Sequence, residues 1–183
     1  MTCTPRFWFT SDQHYGHNKI IEYANRPFGS VGEMDEEMIR RHNEVVSQGD
    51  FVFHLGDFMF HATEVKLKNL LRKLNGNHGV ILGNHDHDPL FKTIPHHYRL
   101  WERSFEGIQV TLCHYPMLSW QASFHGAFQL HGHTHGTIPF DPLVRRLDVG
   151  VDCWDFRPVE WEIIRTRLLA VPTPKQLKEN GLS

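Results

Sequence analysis

Short polar clusters stand directly after short apolar runs at five places along this chain, and this order constrains the fold more than any other feature. Every cluster carries Asp, Asn or His, whose oxygen and imidazole groups bind metals without a cysteine thiolate. The clusters are Asp12-Gln13-His14, Gly56-Asp57, Gly83-Asn84-His85-Asp86, Cys113-His114 and Gly132-His133-Thr134-His135, with His17 just beyond the first. Apolar runs that end in polar turns are typical of strands whose ends carry the functional groups.

The first half of the chain alternates between strand and helix patterns. Ser30 to Glu33 has a capping-box pattern that predicts a helix to about Gln48, and Thr63 predicts a second helix that Asn75-Gly76 ends. Strands are expected at Arg6 to Thr10, Phe51 to Leu55 and Gly79 to Leu82. Because strands alternate with helices, we expect a partly parallel sheet. One edge can then gather Asp12, Asp57, Asn84, His114 and His133.

The second half has a different pattern. A hairpin is expected around Glu106-Gly107, and Pro158 to Leu169 reads as a terminal helix with proline in its first turn. Further strands are expected at Ala127 to Leu130 and Arg146 to Val151. We expect one domain over residues 1–170 and a polar C-terminal tail over residues 171–183.

Composition narrows the function classes. The net charge of -2 argues against binding long duplex nucleic acid, which requires many cations. The chain shows no apolar run of membrane-spanning length and no secretory leader, so a cytoplasmic location is expected. The 3 cysteines form no C-x-x-C pair, which is typical of reduced thiols. The oligomeric state stays open.

The polar clusters supply enough donors for two metal ions. Asp12 and His14 are two residues apart, so in an extended chain they point to the same side. Asp57 follows a glycine and has two oxygens, so it can bridge two ions. The donor set is Asp12, His14, Asp57, Asn84, His114, His133 and His135. One ion takes about four to six donors, waters included, and this set of nitrogen and oxygen donors suits Mn, Fe, Zn, Ni or Co.

The ordered blocks D-x-H, GD, GNHD, H and GHTH, from about Phe7 to Asp152, resemble the calcineurin-like metallophosphoesterase superfamily. The opening residues Ser11 to Asn18 are similar to small bacterial and phage-type phosphoesterases. The resemblance implies an α/β fold, a four-layer αββα sandwich with two mixed sheets flanked by helices. It also implies metal-dependent hydrolysis of phosphomonoesters or phosphodiesters, with two divalent ions, manganese being favoured.

The resemblance also implies a role for each residue. One ion would be held by Asp12, His14 and His135, the other by Asn84, His114 and His133, and Asp57 would bridge them. His85 would contact the phosphate or protonate the leaving group, with Asp86 orienting it. Beyond these blocks, His17 and Arg26 are candidate substrate-binding residues. The alternatives are that His17 packs in its loop and that Arg26 is a solvated residue before a rigid turn.

Three functions remain open. The first is hydrolysis of a small phosphoester, possibly a nucleotide, since Phe28, Trp120 and Phe124 could stack a base or simply pack in the core. The second is a nuclease that acts on short or single-stranded nucleic acid. The third is a non-catalytic interaction scaffold, as in the retromer subunit of this fold, which has eroded ligands. The complete donor set and His85 disfavour the scaffold.

Overall fold

The computed structural model describes residues 4–179 and residue 181. The strands are β1 (Phe7–Thr10), β2 (Phe51–His54), β3 (Asn77–Ile81), β4 (His96–Tyr98), β5 (Leu100–Phe105), β6 (Ile108–Cys113), β7 (Phe128–His131), β8 (Arg146–Asp148) and β9 (Val159–Glu160). The helices are α1 (Ile20–Tyr23), α2 (Val31–Val45), α3 (Glu64–Leu71), α4 (Asp88–Phe91), α5 (Trp161–Leu169) and α6 (Pro174–Glu179), with 3-10 turns at Ser123–His125 and Val151–Cys153.

The strands form two mixed sheets. Sheet one has the order β4-β3-β2-β1-β9, in which β1 to β4 run parallel and β9 is antiparallel to β1. Sheet two has the order β5-β6-β7-β8, with β5 antiparallel to β6 and the remaining pairs parallel. Two mixed sheets with helices confirm the predicted α/β sandwich, and the hairpin predicted around Glu106-Gly107 is the β5–β6 connection.

The main core lies between the two sheets. Successive side chains of a strand point to opposite faces, so Phe9 and Phe53 of sheet one face inward while Trp8 and Val52 belong to a separate apolar group. Sheet two and α5 supply the rest of this core, including Phe105, Val110, Leu112, Phe128, Leu130, Ile164 and Leu168. This packing fixes the strand ends from which the polar clusters project.

The outer face of sheet one is covered by α2 and α3. Ser30 caps α2, since its Oγ accepts a hydrogen bond from the N–H of Glu33 at 3.2 Å, and Thr63 Oγ1 does the same for Lys66 at 3.3 Å. Such a cap typically contributes about 1 kcal/mol. Met34 and Met38 of α2 pack with the leucines of α3 and with Val80 of β3. The predicted caps are therefore confirmed, although α2 ends at Val45 rather than at Gln48.

The helix predicted over Pro158 to Leu169 is confirmed at its end, but its predicted start is wrong. Pro158 does not open a helix: Val159 and Glu160 pair with β1, which completes the hydrogen bonding of an otherwise unpaired edge, and α5 begins at Trp161. Within the predicted tail over residues 171–183, Val171 is buried in the core and Pro174–Glu179 form α6; the division into a domain and a tail stays a prediction. Residues 180, 182 and 183 of that tail lie outside the described residues.

Three further differences are smaller. The strand predicted to run to Val151 ends at Asp148, and a 3-10 turn follows at Val151–Cys153. β4 and the short helices α1 and α4 were not predicted, since each has four residues or fewer.

None of the helices in the described part of the chain is both long and apolar enough to cross a bilayer.

Candidate metal centre

The loops that follow β1 and β2 lie side by side and continue the pairing of their strands. The N–H of Asp12 donates to the carbonyl of Gly56 at 3.0 Å, and the N–H of His14 donates to the carbonyl of Asp57 at 2.9 Å. The next pair, Tyr15 and Phe58, is joined in the same way at 3.0 Å. Main-chain hydrogen bonds therefore place Asp12 and His14 next to Asp57.

Five of the seven predicted ligands have left-handed backbone conformations. Their φ angles are 58° for Asp12, 52° for His14, 53° for Asp57, 69° for His133 and 48° for His135. Non-glycine residues seldom adopt this region, and where they do they concentrate at functional sites. The expectation that Asp12 and His14 meet through an extended chain is wrong, since tight turns bring them together. Gly132 permits one close approach: a methyl group there would overlap Ser11 and the Asp12 carboxylate.

The carboxylate of Asp57 lies at the middle of the site. Its Oδ1 accepts a hydrogen bond from the N–H of His85 at 2.9 Å. Its Oδ2 is 3.5 Å from Nε2 of His14 and 3.5 Å from Nε2 of His114. These two histidines come from opposite sheets, so a single carboxylate oxygen lies between donors from both halves of the fold.

One side of Asp57 is formed by Asn84, His114 and His133. Nδ1 of His114 lies 2.8 Å from the carbonyl oxygen of Leu55, which fixes the proton on Nδ1 and leaves Nε2 as an acceptor. That Nε2 is 3.2 Å from Oδ1 of Asn84. The rings of His114 and His133 lie 5.0 Å apart. The three side chains therefore turn their donor atoms toward one region.

The other side is formed by Asp12, His14 and His135. Both oxygens of Asp12 accept from the N–H of His133, at 3.0 and 2.9 Å, and Nε2 of His135 is 4.0 Å from Oδ1 of Asp12. Three overlapping sets have ligand atoms within 4.8 Å of one another: Asp12, His14 and His135; His14, Asp57 and His85; Asp57, His114 and His133. The structure thus brings all seven predicted ligands to one place.

The chemistry of the site fits a cation. Both ring nitrogens of His14 are buried and have no hydrogen-bond partner. An unpaired buried polar atom is costly, so its presence calls for a ligand. The donors are carboxylate, amide and imidazole groups, which bind divalent metals of intermediate hardness. The histidine and aspartate groups can therefore hold a metal ion.

Electrostatics point the same way. Burial raises the pKa of Asp12 to about 7 and lowers the pKa of His14 to about 3. Burial also acts to raise the pKa of Asp57, but His114, the N–H of His85 and His14 together outweigh it, and the pKa falls to about 2. Burial acts to lower the pKa of His114, but Asp57, Asp12 and the Leu55 carbonyl together raise it. A cation between these groups would relieve the cost of burying the carboxylates.

His85 lies at the mouth of the site, with 39% of its side chain exposed. Its Nε2 is 4.0 Å from Oδ2 of Asp57, so it can reach both the centre and a ligand that arrives from solvent. Asp86 does not orient the His85 ring as predicted. Its two oxygens accept the N–H groups of Asp57, Phe58 and Gly83, at 2.7, 3.0 and 2.9 Å. Asp86 instead joins the loops after β2 and β3.

Arg26 is not available to a substrate, which corrects the prediction. Its side chain is fully buried, and its guanidinium binds the Asp152 carboxylate and the carbonyls of Asp12 and Gln13. His17 is nearer to the centre. Its ring is 5.3 Å from that of His14 and stacks on Phe60 at 4.0 Å, and burial lowers its pKa. Substrate contact by His17 stays a prediction.

Asp152 is the residue that the sequence argument underrated. It was not among the predicted site residues, yet its Oδ2 lies 2.7 Å from Nδ1 of His135, a predicted ligand. The sequence signal that could have identified Asp152 is its position as an acidic residue shortly after the GHTH block.

Of the aromatic candidates for base stacking, Phe28 packs on Phe156 at 4.9 Å and Trp120 donates to the Ala127 carbonyl at 3.1 Å, so both have structural contacts.

Comparison with known proteins shows the family to which the chain belongs. No protein-family model matches the chain. The chain is 33% identical over 165 residues to the uncharacterized protein MJ1445 of Methanocaldococcus jannaschii, covering 87% of this chain and 89% of that protein. It is 30% identical over 185 residues to the gene 66 protein of Mycobacterium phage D29, covering 84% and 92%. The chain belongs to the family of these proteins.

A solved structure supports the fold. The crystal structure of AQ665, a protein of unknown function from Aquifex aeolicus, superposes with a TM-score of 0.72. The two sequences are 22% identical, and the superposition covers 89% of this chain and 99% of AQ665. At that identity the likeness concerns the fold alone.

Proposed function

We propose that this protein is a metallophosphoesterase that uses two divalent ions. One observation carries the proposal: Oδ2 of Asp57 lies 3.5 Å from a histidine nitrogen of each donor group. A carboxylate oxygen placed between two donor groups suits a bridging ligand. The ordered motifs shared with calcineurin-like metallophosphoesterases support the same assignment.

Each residue then has a chemical task. Asp12, His14, Asp57 and His135 would hold one ion, and Asp57, Asn84, His114 and His133 the other. Bound ions would supply a water of lowered pKa and neutralise charge on the phosphoryl group. His85, exposed at the mouth, would contact a phosphate oxygen or protonate the leaving group. We favour manganese on the resemblance to calcineurin-like metallophosphoesterases; the oxygen and imidazole donors also suit Fe, Zn, Ni or Co.

We further propose a nucleotide-type phosphodiester as the preferred substrate. Two exposed tyrosines flank the centre. Tyr115, 45% exposed, lies 4.8 Å from the ring of His133, and Tyr23, 71% exposed, lies 6.4 Å from the ring of His17. Stacking of a base on an aromatic ring contributes about 1–3 kcal/mol. Rings on both sides of the centre would suit a base on either side of a phosphate.

The same tyrosines favour a second candidate, cleavage of short or single-stranded nucleic acid. The rates of hydrolysis of an oligonucleotide and of a mononucleotide ester, measured side by side, separate the two. Faster turnover of the oligonucleotide per phosphodiester favours the nuclease, and turnover of the mononucleotide alone favours the small substrate.

The test of the main proposal is hydrolysis of an aryl phosphodiester and an aryl phosphomonoester by metal-stripped protein reloaded with manganese. We expect turnover of at least one ester, and its loss in Asp57→Ala. Full activity in Asp57→Ala would refute the bridging role. No turnover of either ester with Mn, Fe, Zn, Ni or Co would refute the phosphoesterase and leave the scaffold function.

A further inference from the structure

We propose that Asp152 and Arg26 form a buried clasp that positions one of the two metal-binding groups, the group of Asp12, His14 and His135. The clasp is the ion pair of these two side chains together with the groups that they hold. The inference rests on the proposed function, since it assigns these residues to the ion on the side of Asp12.

The first half of the clasp fixes His135. Oδ2 of Asp152 lies 2.7 Å from Nδ1 of His135. A carboxylate at Nδ1 keeps the proton on that nitrogen and fixes the orientation of the ring. Nε2 then carries no proton, and its lone pair can bind a metal ion. Nε2 is the atom that faces the Asp12 carboxylate, at 4.0 Å. Asp152 therefore selects both the tautomer and the direction of His135.

The second half fixes the loop after β1. Arg26 binds Asp152 in a bidentate manner, with Nε 2.8 Å from Oδ1 and Nη2 2.9 Å from Oδ2. The same guanidinium donates to the carbonyl of Asp12 at 2.6 Å and to that of Gln13 at 3.0 Å. One planar group thus connects the backbone that carries Asp12 and His14 to the carboxylate that holds His135.

The fold brings the two residues together from distant parts of the chain. Arg26 and Asp152 are 126 positions apart. The segment of Asp152 is anchored to the end of β1, because Ser11 pairs with Gly150 and the N–H of Val151 donates to the carbonyl of Ser11 at 3.0 Å. The loop after β1 is therefore already fixed at Ser11. The clasp then holds the next residues of this loop through the carbonyls of Asp12 and Gln13.

Burial of this ion pair needs a reason other than stability. The side chain of Arg26 is 0% exposed and that of Asp152 is 9% exposed. Buried ion pairs often add little net stability, because desolvation offsets their attraction. The guanidinium donates twice to Asp152, once to each of the Asp12 and Gln13 carbonyls, and once to Sδ of Met34. A positioning role explains why an arginine, with its planar bidentate geometry, occupies this position rather than a lysine.

The test is the Asp152→Asn variant, which keeps the shape of the side chain and removes its charge. Loss of such a partner typically lowers metal affinity by about 10–100-fold. In calorimetric titrations of metal-free protein with manganese, wild type should bind two ions. Asp152→Asn should weaken one ion by that factor and leave the other unchanged. Asp155→Asn is the matched control, since Asp155 is an exposed aspartate that also pairs with arginines.

A spectroscopic readout separates positioning from folding. In metal-free wild type, the imidazole ¹⁵N shifts of His135 should report a proton on Nδ1, and in Asp152→Asn the two tautomers should be mixed. If Asp152→Asn fails to fold, Arg26→Lys replaces it as the test variant. Because it retains the charge, its affinity for the ion should lie between that of wild type and the roughly 10–100-fold weaker value expected for Asp152→Asn. Unchanged affinity for both ions and an unchanged His135 tautomer would overturn the clasp. Failure of wild type to bind any metal would instead overturn the proposed function.

Discussion

Two groups of buried and half-buried histidines stand out in the described part of the chain, and they differ in their partners. His14, His114 and His135 surround the carboxylates of the candidate metal centre. The second group, here called the outer histidine group, consists of His42, His54 and His78 between α2 and sheet one. Nδ1 of His54 accepts from Nε2 of Gln13 at 2.8 Å, Nε2 of His54 lies 3.0 Å from Nδ1 of His78, and Nε2 of His42 lies 2.9 Å from the Asn75 carbonyl.

The difference shows that burial alone does not make a histidine a ligand. Burial lowers the pKa of His54 and His42, and that of His78 to about 4, and no carboxylate opposes it among the causes of these shifts. In the metal centre carboxylates oppose burial: Asp57 and Asp152 help to leave the pKa values of His114 and His135 raised, and Asp57 acts against burial at His14, whose pKa still falls to about 3. Carboxylates that converge on ring nitrogens distinguish the candidate ligands.

The largest expected effect comes from a matched pair of substitutions. His114 and His54 are both fully buried. His114→Gln should bind one ion fewer than wild type. Turnover should fall by about 10³-fold, because the lost ion no longer stabilises the charge that develops during the reaction. His54→Gln should retain both ions and most of the turnover. Metal analysis and steady-state rates check this, and equal losses in both variants would break the comparison.

A smaller effect is expected at the mouth of the site. His85→Ala should lower turnover by about 10²–10⁴-fold, the usual contribution of a general acid. Metal content should stay near the wild-type value, because the exposed His85 is separate from the two proposed ligand groups. Loss of both metal and turnover would show that His85 is a ligand, as its place in one of the metal-binding sets allows.

The smallest effect concerns stability. In the unfolded chain His78 takes up a proton near pH 6.5, but in the folded protein only near pH 4. The unfolded state therefore binds more protons between these values, and stability must fall as the pH drops through this window. Each such histidine contributes a slope of up to about 1.4 kcal/mol per pH unit.

Urea unfolding of metal-free protein between pH 7 and pH 4.5 measures this slope. His78→Gln should lose less stability on acidification than wild type, by about the contribution of one histidine. A slope that is identical in the two proteins would show that His78 is protonated equally in both states. The contrast between the two histidine groups would then need another basis.

Local signals in the sequence predicted local structure well. The side chains of Ser30 and Thr63 act within one helical turn, and the turn at Glu106-Gly107 joins adjacent strands, so each is predictable from neighbouring residues. β9 and α6 are not, because Val159 pairs with β1 from the far end of the chain and Lys178 of α6 lies over the ring of Phe124, 5.0 Å from its centre. Their sequences carry no pattern that shows these partners.

The same distinction holds for the site. The donors could be identified because they stand in short blocks at strand ends, and the structure brings them together. The contacts of Arg26 and Asp86 could not be predicted, since their partners are backbone groups and side chains that only the fold supplies. Arg26 meets Asp152 across 126 positions, and Asp86 binds the N–H groups of Asp57 and Phe58 from another loop.

Anomalous X-ray scattering from crystals soaked in manganese and phosphate tests the central claim most directly. We expect two manganese peaks, one between Asp12 and His135 and one between Asn84 and His114, with Asp57 touching both and phosphate facing His85. A single peak, a peak at the outer histidine group, or no peak at saturating manganese would contradict the two-ion centre.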